Sequence, residues 1–132
     1  MTHDHGRAAL DAARALEPRI VGFLRDMIAI PGESCRERDR CHRVKAELEA
    51  LAFDEVFFDR LGTVVGRMGD GPLKILFDGH VDTVGVGDPA AWPHDPFAGK
   101  LEAGEVWGRG AVDELPAIAC MAYGLHLLRR RG

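Results

Sequence analysis

Apolar residues recur at helical spacing along the first part of the chain. Leu10, Ala13 and Leu16, then Ile20, Phe23, Leu24, Met27 and Ile28, fall on one face across residues 6–29, as an amphipathic helix requires. Pro18 predicts a kink, or the first turn of a second helix, inside that stretch. Ile30-Pro31-Gly32-Glu33-Ser34 breaks the pattern and reads as a loop. Cys41, Val44, Leu48 and Leu51 then predict a helix over roughly 37–51. The period changes in the next segment. Glu55–Phe58 and Thr63–Arg67 read as short strands joined by Arg60-Leu61-Gly62, and Asp70-Gly71-Pro72 turns the chain into the apolar run Leu73–Asp78. A continuous apolar run between turn signals predicts a buried strand. Residues 85–105, rich in Gly and Pro, read as a long loop pinned by Trp92, Pro96 and Phe97, with Val106-Trp107 as a short strand. From Val112 onward Leu115, Ile118, Met121, Ala122, Leu125 and Leu128 return to helical spacing, with Pro116 tolerable in the first turn. The order predicts an α/β layer structure, incomplete on its C-terminal side.

Composition narrows the function classes. With 132 residues, 46% hydrophobic and 29% charged, the chain has the make-up of an ordinary globular domain. A net charge of −4 without a large block of one sign points away from nucleic acid and from anionic membranes as partners. The one basic cluster, Arg129-Arg130-Arg131, follows a helical pattern and reads as a helix C-terminus capped by Gly132. No run approaches the ~20 apolar residues of a membrane helix. The N-terminus lacks the basic-then-apolar order of a signal peptide. Cys35, Cys41 and Cys120 read as reduced thiols of a cytoplasmic protein. Cys35, Cys41 and His42 match no usual zinc spacing. Residues 1–14 are expected to form a mobile N-terminus and residues 15–132 a partial catalytic domain.

The candidate chemistry sits at the end of the apolar run, in Gly79-His80-Val81-Asp82-Thr83-Val84. The carboxyl ends of strands are where open α/β sheets place ligands. His80 and Asp82 are two apart, so in extended backbone they point to the same side. A histidine there can bind a metal while the carboxylate holds its ring and fixes its tautomer. Gly108-Arg109-Gly110-Ala111-Val112-Asp113 follows. Asp113 offers a second oxygen ligand, an N-cap for the following helix, or both. Glu105 and Glu114 are the nearest further carboxylates, and sequence alone promotes neither. His94 reads as a solvated loop histidine. Arg109 suits either a substrate carboxylate or a structural salt bridge.

These motifs, together with Trp92-Pro93-His94-Asp95-Pro96-Phe97, resemble the metallopeptidase family of acetylornithine deacetylase, succinyl-diaminopimelate desuccinylase and aminoacylase. Ile30–Cys35 and Asp59–Gly66 fit as well, and Glu33-Ser34-Cys35 with Thr83–Gly87 is most similar to a subgroup of hydrolases linked to selenium metabolism. The resemblance covers roughly residues 15–131 and the first third of a family member. It implies the N-terminal portion of a zinc-peptidase-like three-layer α/β catalytic domain, without the inserted dimerisation or lid domain. It also implies a hydrolase with two zinc ions, or cobalt or manganese, acting on amide bonds of N-acyl amino acids or small peptides. By position His80 would bind one metal, Asp113 would bridge both, and Asp82 would orient His80. The catalytic Glu pair of the family is not among these residues. The sequence therefore predicts a chain inactive alone, completed by a complementing C-terminal polypeptide, with a catalytically inactive, weakly metal-binding remnant as the alternative. Three departures stand out. Glu114-Leu115-Pro116-Ala117 replaces a polar or basic residue followed by paired glycines, Thr63 replaces a usual Asn, and Ala52 replaces a turn glycine whose positive φ would be costly for Ala.

Overall fold

A computed structural model describes residues 2–131. Three helices carry the fold: α1 (Thr2–Ala29), α2 (Arg38–Ala50) and α3 (Leu115–Arg131). Helix α1 starts earlier than its apolar spacing predicts and continues through Pro18. Pro116 lies in the first turn of α3, where a missing N–H costs no intrahelical bond. Gly132, the proposed cap, lies outside the described residues. No helix is long and apolar enough to cross a membrane among the described residues.

Helix α1 packs against both α2 and α3. The core gathers Phe23, Met27 and Ile28 of α1, Leu48 of α2 with Leu51 just beyond it, and Leu115 of α3. Only the C-terminal half of the α1 stripe is buried, and Leu10 is exposed. The face of α3 that reaches the core is also rotated from the predicted one. Ala119 and Tyr123 join Leu115 and Ala122 inside, while Leu128 is 68% exposed. Met121 and Leu125 instead line an open apolar groove with Leu10, Ala13 and Phe77. Inside, the Tyr123 hydroxyl donates to Glu47, which also receives Arg43. Burial and then the Glu47 carboxylate push the Tyr123 phenol up to about 12.

The strands form two separate hairpins. β1 (Glu55–Phe58) pairs antiparallel with β2 (Val64–Arg67) in the register Glu55↔Arg67 to Phe58↔Val64. Asp59 shapes their turn, its Oδ1 accepting from the backbone N–H of Leu61 and of Thr63, each at 2.8 Å. This hairpin lies on α2. β3 (Lys100–Glu102) pairs with β4 (Glu105–Trp107), so the segment expected to be all loop contributes a strand. Their two-residue turn has positive φ at both Ala103 (52°) and Gly104 (84°), the pattern of a type I′ hairpin turn.

The run Leu73–Asp78 departs from expectation. It is not a strand, and it is not buried: Leu73 is 79% and Leu76 89% exposed. The reason is that strand structure is not local. Backbone N–H and C=O groups need a neighbouring ladder, and side chains on each face need a covering layer. Among the described residues the strands pair only as β1–β2 and β3–β4, which leaves this run nothing to join. Helices and small hairpins together are those of a partial α/β domain.

Ala52 has φ 58°, the left-handed conformation expected from the missing glycine. It ends α2. Its N–H bonds to Glu49 O (3.0 Å) and that of Phe53 to Leu48 O (3.2 Å), which together make a Schellman motif with Ala where glycine is usual.

Candidate metal centre

The segment that ends the apolar run is fixed from beneath by Arg40. This residue lies on the apolar face of α2, in line with Val44 and Leu51, and is fully buried. Its Nε donates to Met27 O (3.0 Å) and Ile30 O (3.1 Å), and Nη1 to Gly32 O (3.3 Å). Nη1 also donates to Val81 O, the carbonyl between His80 and Asp82. Burial pulls the guanidinium below its usual pKa, and the Asp82 charge opposes that pull. Thr83 N–H adds a bond to Gly32 O at 2.8 Å. A Cβ on Gly32 would lie 2.9 Å from Arg40 Cζ, so glycine leaves the guanidinium its space. Sequence reading did not single out Arg40. Its signal was an arginine at a core position of the α2 stripe.

On this support the His80 ring is divided between two sets of partners. Nδ1 is 3.0 Å from Asp82 Oδ1 and 3.2 Å from Asp82 O. The other Asp82 oxygen accepts from the Ser34 hydroxyl. That bond, with His80 close by, holds the Asp82 carboxyl below its ordinary range. Nε2 faces the opposite way, 3.5 Å from Asp113 Oδ1 and 4.0 Å from Glu114 Oε2. Desolvation works against the imidazolium. The bond to the Asp82 carbonyl and the charges of Glu114, Asp82 and Asp113 outweigh it and raise the His80 pKa. The carboxylates that favour a proton on Nε2 favour a metal cation there as well. One ligand atom each from His80, Asp113 and Glu114 lies within 4.8 Å of the others. His80, Asp82 and Asp113 are thus brought together. Glu114 joins them, which the sequence left open, whereas Glu105 lies in β4 opposite Glu102.

The glycine turn delivers Asp113. Gly110 has φ 85°, and a Cβ there would stand 2.8 Å from both Leu115 Cδ1 and Thr83 Cγ2. The turn therefore presses against the His80 segment as only glycine can. Helix α3 begins at Leu115, and the Glu114 carbonyl accepts from Ala117 N–H (2.8 Å), so Asp113 stands before the helix rather than at its N-cap. Among the described residues Arg109 makes no salt bridge. It stacks over Trp92 at 4.8 Å and donates to Gly85 O at 3.1 Å. Trp92 Nε1 bonds to Val86 O (2.8 Å) and Arg109 N–H to Pro96 O (2.7 Å), so the long loop is pinned through Trp92 and Pro96. His94 packs edge-on against Trp107, beside Lys100 and away from His80.

The donor set suits a divalent cation. A neutral imidazole nitrogen and two carboxylates are borderline-to-hard ligands, the kind that bind zinc, cobalt or manganese. The Asp82–His80 pair is the usual device for aiming such a ligand.

Residues 76–132 match Peptidase family M20/M25/M40. The protein YgeY of Escherichia coli (strain K12) is 39% identical over 123 residues, covering 93% of this chain and 30% of that protein. A succinyl-diaminopimelate desuccinylase of Rhodospirillum centenum is 33% identical over 125 residues, covering 89% of this chain and 32% of that enzyme. One from Methylobacterium sp. (strain 4-46) is 55% identical over 68 residues, covering 50% of this chain and 17% of that enzyme. The chain spans less than a third of the length of these relatives. These matches, like its motifs, make the chain similar to the N-terminal part of proteins of the M20/M25/M40 peptidase family.

Proposed function

We propose that this chain carries the first metal-holding segment of a divalent-metal hydrolase of amide bonds, within the three-layer α/β domain that the family resemblance implies. The observation that supports this most directly is the divided His80 ring, Nδ1 against Asp82 at 3.0 Å and Nε2 toward Asp113 at 3.5 Å. His80 and Asp113 would hold the metal, zinc by resemblance, with cobalt and manganese as alternatives. Asp82, held by Ser34, would keep the His80 proton on Nδ1 and Nε2 free. A bound divalent pair supplies Lewis acidity toward the scissile carbonyl and lowers the pKa of water. The substrate class is N-acyl amino acids or small peptides, in keeping with relatives named as desuccinylases. Turnover is assigned to the chain completed by a polypeptide supplying further carboxylates, because general-base catalysis contributes ~10²–10⁴ in rate and Asp113 would be committed to the metal.

The test is complementation. This chain is mixed with a polypeptide covering the remaining length of YgeY, and zinc-dependent hydrolysis is assayed on a panel of N-acyl amino acids. Turnover above either part alone, abolished by His80→Ala, is the expected result. A mixture that associates and binds zinc yet hydrolyses nothing in the panel rejects the substrate class; one that binds no metal rejects the function.

A further inference from the structure

The geometry points to Glu114 as a third metal ligand, so that His80, Asp113 and Glu114 together form a one-cation site within this chain. The inference rests on the metal-site reading above and goes beyond it. The family motif provides His80 and Asp113, and Glu114 stands where the motif departs.

Three observations carry it. First, in a tetrahedral shell with bonds of ~2 Å, ligand atoms sit roughly 3.3 Å apart. Nε2 of His80 is 3.5 Å from Asp113 and 4.0 Å from Glu114, and all three ligand atoms lie within 4.8 Å. Small side-chain rotations close that gap. Second, Glu114 is aimed. Its Oε2 accepts the His80 backbone N–H at 3.1 Å, which ties the carboxylate to the residue whose ring it faces. A carboxylate oxygen has lone pairs for both an N–H and a cation. Third, the space for it depends on Gly79. A Cβ there would lie 3.1 Å from Glu114 Oε2 and 3.0 Å from Ile118 Cδ1, so a side chain at 79 would occupy the carboxylate's cradle. Three protein ligands are what a metal with one open position needs. Two carboxylates with one imidazole form a hard set that accepts manganese as well as zinc.

The test uses the full chain with Co²⁺ followed by visible absorption and Mn²⁺ followed by calorimetry, with helix content checked by circular dichroism. The wild-type chain is expected to bind one cation. Glu114→Gln, of the same size but uncharged, should weaken binding at least about 10-fold, the low end of what supporting groups of metal sites contribute. Glu114→Asp keeps the charge on a shorter arm and should also weaken it, whereas Glu105→Gln should leave it unchanged. If Glu114→Asp binds as the wild type does while Glu114→Gln does not, Glu114 acts only through its charge and ligation is refuted. If both bind as the wild type does while His80→Ala does not, the metal site stands and this inference falls. If the wild-type chain binds no cation, the three-ligand site is overturned, and the hydrolase reading is then decided by complementation alone.

Discussion

Two neighbouring segments of the same run differ sharply. Residues 81–83 are held by Arg40 and Gly32, and Thr83 is buried. Residues 73–77, immediately upstream, carry four large apolar side chains in solvent and lie in no sheet. Both are parts of what the sequence reads as one strand and its end. The difference lies in where the partners come from. The lower end is gripped by one side chain that reaches four backbone carbonyls, all present in this chain. The upper part needs a ladder and a second layer, and neither exists among the described residues. The His80 end can therefore be held in place while the run leading into it joins no sheet.

The largest expected break of this contrast is Arg40→Met, which keeps the apolar stem but strands several buried carbonyls. An unsatisfied buried polar group costs about 1–3 kcal/mol, so a loss of about 3 kcal/mol or more is expected in urea denaturation. A loss under 1 kcal/mol would show that Arg40 is not the clamp. A smaller effect, of opposite sign, tests the end of α2 that frames the clamp. Ala52→Gly relieves a left-handed residue, a conformation that costs an L-residue roughly 1 kcal/mol, and should raise the urea midpoint by an amount near that value. No gain would mean that Ala52 adopts its φ without strain. Least of all, Leu76→Lys in the exposed run should alter stability by no more than about 0.5 kcal/mol in the same urea denaturation. A large destabilisation there would mean that the run is packed after all.

What the sequence made legible follows the range of the forces involved. The helices and the β1–β2 hairpin depend on local period and turn chemistry, and Glu55–Phe58 appears where its pattern placed it. Ala52 was recognisable because a glycine conformation can be inferred from one missing glycine. His80, Asp82 and Asp113 were legible as a spaced motif, and the structure brings them together. The Leu73–Asp78 run was misjudged because burial of a strand is decided by residues distant from it. The β3–β4 hairpin was hidden by the Gly and Pro around it. Glu114 could not be separated from Glu105 without three dimensions, since only the turn through Gly110 decides which carboxylate faces Nε2. Arg40 was overlooked because a charged residue on an apolar face is easily read as an interruption.

The Arg40 knot also couples occupancy of the proposed metal site to the integrity of the helices. Its guanidinium joins carbonyls from the end of α1, the following loop and Val81, so the group that ties the α1–α2 junction also holds the His80 segment. A cation that binds only the assembled arrangement then stabilises the folded chain in proportion to the logarithm of its concentration over its Kd. By the same linkage, any substitution that loosens the helix pair lowers apparent metal affinity without touching a ligand.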